Sequence, residues 1–123
     1  MKKLIIVVLV CLLSGCSSID SSTKKVLESS AREIIGEVHV GKFEFIYKKS
    51  SLFFKSSISV DQLKAQWESL PDVYGEYIGV DQVVSYHIDN NYIVYVVVIY
   101  ENYKQKYSLS FNENLKLIGM FLQ

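Results

Sequence analysis

A single proline divides this chain into two stretches that obey different periodicities, and that division constrains the fold more than any other feature. Pro71 is the only proline among 123 residues. It carries no amide hydrogen and steers its predecessor out of the helical region, so a helix arriving from the N-terminal side is expected to stop before it. Beyond it the composition changes: eight of the nine tyrosines and eight of the fifteen valines lie between Asp72 and Gln123. Aromatic and β-branched side chains suit a pleated, half-buried surface, so this second stretch is expected to be sheet.

Ahead of Pro71 the spacing is helical. Val26, Leu27, Ile34, Ile35 and Val38, with Ser30 and Ala31 between them, recur at three- and four-residue intervals and predict an amphipathic helix over Lys24 to Val38. Gly41 should break it. Phe43, Ile46 and Tyr47 then share one side of a short second helix, with Lys48-Lys49-Ser50-Ser51 as its solvated end. Ser59-Val60-Asp61-Gln62 has the spacing of a capping box, in which Ser59 accepts from the Gln62 amide and Gln62 reaches back. It predicts a third helix from about Val60 to Leu70 that buries Leu63 and Trp67.

After Pro71, Asp89-Asn90-Asn91 is turn chemistry, because Asp and Asn tolerate the left-handed backbone of a tight hairpin. It separates strands at Val83 to Ile88 and Tyr92 to Tyr100. Glu101-Asn102 and Asn112-Glu113-Asn114 mark further turns, before strands near Lys104 to Phe111 and Leu115 to Leu122. A short extra strand is expected around Val73 to Ile78, with Gly75 and Gly79 as bends or bulges. The expected fold is α+β: three N-terminal helices packed on a curved four-stranded antiparallel meander.

The strand faces carry more information. Tyr107, Leu109 and Phe111 face one way and Lys106, Ser108 and Ser110 the other, so that strand has one wet side. Tyr92 to Tyr100 lacks the alternation, with Ile93, Tyr95, Val97 and Ile99 opposite Tyr92, Val94, Val96, Val98 and Tyr100. Two readings stay open. Neighbouring tyrosines cover the second face, or it is an exposed apolar surface for homodimerisation or partner docking, with Tyr92, Tyr95 and Tyr100 as candidate interface residues.

The N-terminus carries an address. Met1-Lys2-Lys3 is a cationic start, and Leu4 to Leu13 form an unbroken apolar run before Ser14-Gly15-Cys16, the layout of a secretory signal peptide. Ten residues rise about 15 Å, half of a roughly 30 Å hydrocarbon core, so as a helix the run is too short to span a bilayer. Leu13-Ser14-Gly15-Cys16 resembles the lipobox of bacterial lipoproteins. The resemblance implies a diacylglyceryl thioether on Cys16, cleavage before it, and a covalent lipid in place of any dissociable cofactor. A thiolate is the nucleophile such chemistry needs, and two or three acyl chains give lasting anchorage where one does not. Residues 1–15 would be the signal peptide, 16–23 the lipidated cysteine and a flexible tether, and 24–123 one domain. The mature chain would hold 108 residues with 11 basic against 13 acidic side chains. Localisation follows: the bacterial cell envelope. Ser17 after the cysteine favours the periplasmic side of the outer membrane where a cell has two membranes.

The order of helices and meander is similar to the nuclear-transport-factor-2-like, or cystatin-like, superfamily, in which helices fill the concave side of a curved sheet to form a cone. Gly41-Lys42-Phe43, the Ser59 to Trp67 helix, Gly75 and Leu117-Ile118-Gly119-Met120 are similar to small bacterial domains of unknown function in that superfamily. Enzymes of this architecture, the ketosteroid isomerase and scytalone dehydratase types, hold an aspartate or histidine base and tyrosine donors inside the cone. Here Asp61, Asp72, Asp81 and Asp89 fall at expected caps or turns, and none matches those catalytic positions.

Other chemistry is sparse. His39 and His87 are 48 positions apart without further ligands at metal-site spacing, and both read as surface or hairpin histidines. Ser85, His87 and Asp89 share a hairpin but offer no activated nucleophile. The glycines form no phosphate-cradling loop, and balanced charge without interleaved basic residues argues against nucleic acid. The reading is a non-catalytic, membrane-anchored envelope lipoprotein that binds a partner protein, a peptide or a small apolar ligand. A pocket enzyme or carrier lined by Trp67, Tyr74 and Tyr77 is one alternative, and an envelope protection or immunity lipoprotein is another.

Overall fold

The computed structural model describes residues 16–17 and 19–123; the signal-peptide reading of residues 1–15 lies outside them. The architecture is α+β. Helices α1 (Ser21–His39), α2 (Phe43–Lys48), α3 (Leu52–Ser57) and α4 (Val60–Glu68) and the five-residue turn α5 (Leu70–Tyr74) precede four long strands. These are β2 (Tyr77–Ile88), β3 (Asn91–Tyr100), β4 (Lys104–Phe111) and β5 (Leu117–Leu122), an antiparallel meander in an open sheet. A two-residue strand β1 (Cys16–Ser17) extends the β2 edge, pairing Cys16 with Ile88 and Ser17 with His87.

α1 buries Leu27, Ala31, Ile34, Ile35 and Val38, a stripe at four- and three-residue steps. Val26, expected on that stripe, is 51% exposed because it sits one residue, about 100°, off the seam. The helix starts at Ser21, earlier than the expected Lys24. It ends where Gly41 enters the left-handed region (φ 81°), so that the Lys42 amide reaches back to the Glu37 carbonyl at 2.9 Å.

The expected solvated end of α2 is a locked crossing. Ser50 is buried with its hydroxyl donated to the Ile46 carbonyl, and the segment exchanges two 2.8 Å backbone bonds with Leu117 of β5. α3 then follows, a helix not expected from sequence. Its N-cap Ser51 accepts from the Phe54 amide, but only Phe54 is buried, so no periodic stripe announces it. The Ser59–Gln62 capping box of α4 forms as expected. α4 ends at Glu68, and Pro71 sits in the first turn of α5, where a missing amide hydrogen costs nothing. Val73 and Tyr74 are therefore helical rather than strand, and Tyr77 and Ile78 open β2, which slips register at Tyr77/Gly79 and Val80/Gln82.

All helices lie on one face of the sheet. The core is the α1 stripe, Phe43, Ile46, Phe54 and Leu63 against Val94, Val96, Val98, Leu109, Phe111 and Leu117. Among the described residues no helix lies over the opposite face. Ile93, Tyr95, Val97 and Ile99 are half-buried there, shaded by neighbours: Tyr86 meets Tyr95 edge-on at 5.8 Å, and the Lys106 ammonium sits 4.6 Å over the Tyr95 ring. No helix among the described residues is long and apolar enough to cross a membrane.

Candidate functional site

At the end of the sheet remote from β1, four elements deliver aromatic side chains to one place. The C-terminus of α1 brings His39, α4 brings Trp67, the start of β2 brings Tyr77, and the end of β3 brings Tyr100. Tyr77 stacks on the His39 ring at 3.9 Å, and Trp67 meets it edge-on at 5.3 Å. Tyr74, from α5, packs 5.1 Å from Tyr100 and donates to Gln105 Oε1 at 2.9 Å.

A chain of hydrogen bonds runs through this cluster. His39 Nδ1 lies 2.7 Å from the Ile35 carbonyl, His39 Nε2 2.6 Å from the Tyr100 hydroxyl, and that hydroxyl 2.8 Å from the Tyr107 hydroxyl. The directions follow by elimination. A carbonyl only accepts, so Nδ1 carries the proton. Burial pushes the His39 pKa down, against the opposing effect of the Ile35 bond, so the ring is neutral and Nε2 accepts. Tyr100 therefore donates to His39, and Tyr107 donates to Tyr100. Burial raises both phenols, Tyr107 to about 12, which keeps the chain protonated at neutral pH.

Two openings flank Trp67. One is a groove of about 480 Å³ reached by His39, Tyr77, Tyr100, Glu68 and Glu76. The other is an apolar cleft of about 120 Å³ walled by Leu63, Trp67, Leu70, Met120 and Leu122, with Tyr107 in its lining. The hydrogen-bonded chain thus begins at the groove and ends at the cleft. An apolar cavity near 150 Å³ suffices for a benzene-sized guest, so this cleft suits a small ring or short alkyl group.

Trp67, Tyr74 and Tyr77, nominated from sequence, are brought together here. Tyr100, nominated for an interface, is 3% exposed in this cluster and has no surface to offer a partner. Tyr92 stacks on His87 at 4.5 Å on the helix-covered side, and Tyr95 lies on the open face, so the three interface candidates do not form one patch. His39 is not the surface histidine expected. Its position four residues after Ile35 and eight after Ala31 extends the buried stripe of α1, and that spacing was the available signal. Tyr107 was legible as core-facing but not as a cleft residue, since the cleft is made by elements far apart in sequence. The Ser85 hydroxyl is donated to Glu28 at 2.8 Å, away from His87. Asp81 pairs with Lys104 at 3.6 Å, and Asp89 holds a left-handed hairpin position.

A family profile matches residues 31–120, which include every residue of the aromatic cluster. The chain belongs to the family DUF3887. That family is described as proteins of unknown function, and no curated protein and no solved structure matches the chain. The DUF3887 match begins within α1 and leaves Cys16 outside it.

Proposed function

We propose that this DUF3887 chain is a lipid-anchored envelope protein whose domain holds a small, mainly apolar ligand in the cleft beside Trp67. The observation that carries the ligand reading is the meeting of an unfilled apolar cleft with the oriented His39–Tyr100–Tyr107 chain, an arrangement of apolar walls and few convergent polar groups typical of small-molecule sites. The anchor reading is supported by Leu13-Ser14-Gly15-Cys16 behind its apolar run. The helices on one face of the meander are compatible with a cone of the nuclear-transport-factor-2-like type. The catalytic alternative has less support, because both nitrogens of His39 are engaged, one by Ile35 and one by Tyr100.

Trp67 is the only tryptophan, so its emission reports directly on the cleft. Titration with toluene and with octanoate should change that emission saturably, and Leu70→Phe, which adds bulk to the cleft wall, should abolish the change. A flat titration, together with a native mass spectrum free of any co-purifying small molecule, would remove the ligand reading. The anchor is tested separately by metabolic acyl labelling, which Cys16→Ser should eliminate.

A further inference from the structure

The strand register places several features at the end of the sheet opposite the aromatic cluster. Cys16 pairs with Ile88, beside the β2–β3 hairpin, and Tyr92 pairs with Phe111, whose strand partner is Leu117. Ser50 bridges to Leu117, so α3 starts at this same end, on the far edge of the sheet from β1. Four strand spacings of about 4.8 Å separate the two edges by about 19 Å. α1 also starts here, since Glu28 meets Ser85 while His39 meets Tyr77.

Leu52 and Phe53, the first residues of α3, are 83% and 72% exposed, more than any other large apolar side chain among the described residues. Lysines surround them in sequence and space. Lys48 and Lys55 flank them and Lys116 adjoins Leu117, all three exposed and in none of the ion pairs among the described residues. Lys24 and Lys25 are exposed on the first turns of α1, and Lys25 lines one groove with Lys49. The acids at this end are Asp20, Glu28, Glu33, Asp89 and Glu113, of which Glu28 accepts from Ser85 and Glu33 pairs with Lys49. The aromatic end has the opposite net sign, with Glu37, Glu68, Asp72, Glu76, Asp81 and Glu101 against Lys42, Lys64 and Lys104. A protruding apolar pair rimmed by cations, on a molecule polarised in this way, complements an anionic lipid surface and not an apolar groove.

We infer that this end is a membrane-docking surface: Leu52 and Phe53 enter the interface of an anionic bilayer while Lys48, Lys55 and Lys116 meet its headgroups. Where the anchor reading holds, Cys16 supplies a second point of attachment on the other edge of the same end. The domain then stands on two feet, with the aromatic cluster around His39 at the end remote from the membrane. This orientation rests on the anchor; the docking surface itself does not.

The test uses the full chain, purified from membranes and reconstituted in phosphatidylcholine vesicles with or without phosphatidylglycerol. In Phe53→Trp/Trp67→Phe the sole tryptophan reports on α3. Its emission should shift to the blue and be quenched by bromine-labelled acyl chains, more strongly with phosphatidylglycerol present. The unmutated chain supplies a second readout: amide exchange over residues 52–57 should slow on anionic vesicles relative to neutral ones. Emission that stays water-like on vesicle-bound protein, with unchanged exchange, would overturn the proposal and point to a protein partner for this patch. An unacylated Cys16 would sink the anchor reading alone, because anionic vesicles added to that protein still meet Leu52 and Phe53 and give or withhold the same signals.

Discussion

At one end of the sheet Trp67, Tyr77 and Tyr100 crowd around His39, whereas at the other Leu52 and Phe53 stand in water with lysines nearby. Both ends are rich in large apolar side chains, yet the two have opposite energetic roles. The aromatic end joins contacts from α1, α4, β2 and β3, and His39, Tyr100 and Tyr107 satisfy one another along one hydrogen-bonded chain, so removing a member leaves a buried group without a partner. The α3 tip satisfies no other residue's needs, and its side chains contribute little to holding the fold.

The largest effect expected from a small change is therefore at the centre of the hydrogen-bonded chain. Tyr100→Phe leaves both His39 Nε2 and the Tyr107 hydroxyl without their partner and should cost about 1–3 kcal/mol, read as a lower denaturant midpoint. A variant as stable as the parent would mean that the chain is dispensable. A smaller, conditional effect follows from His39. Its pKa is lowered in the folded state from an ordinary 6.5, chiefly by burial. As pH falls below about 6.5 the unfolded chain takes up a proton that the folded chain refuses, so stability declines from there down to the folded pKa and is flat above it. His39→Gln should remove this component from the melting temperature measured between pH 8 and 5; identical slopes in variant and parent would contradict the assignment. The smallest effect belongs to the other end. Leu52→Ser with Phe53→Ser should leave stability within about 0.5 kcal/mol of the parent while weakening adsorption to anionic vesicles, and a large loss of stability would show that the tip is structural after all.

Legibility follows the range of the interactions concerned. The meander and its turns were readable because Asp89-Asn90 and the alternation in β4 are local signals. The capping box at Ser59 was readable for the same reason. α3 was not, since its single buried residue, Phe54, gives no period, and its place is fixed by Lys49 and Ser51 bonding to Leu117 more than sixty residues away. Trp67, Tyr74 and Tyr77 were legible as aromatic candidates near Pro71. The spacing of His39 after Ile35 marked it as facing the core but not which partners it meets, and Tyr107 was legible as core-facing but not as a cleft residue, because their partners come from elements distant in sequence.

Sequence by itself determined the change from helix to sheet a few residues beyond Pro71, the helical stripe of α1 and the α+β order. Each of these is encoded in side chains a few residues apart. Only the tertiary structure decided which tyrosines meet His39, that a cleft stays open beside Trp67, and that the lysines and Leu52–Phe53 share an end with Cys16. Those relations join residues far apart in the chain, such as His39 and Tyr100, 61 positions apart, and only the strand register and the packing of helices across it bring them within reach of one another.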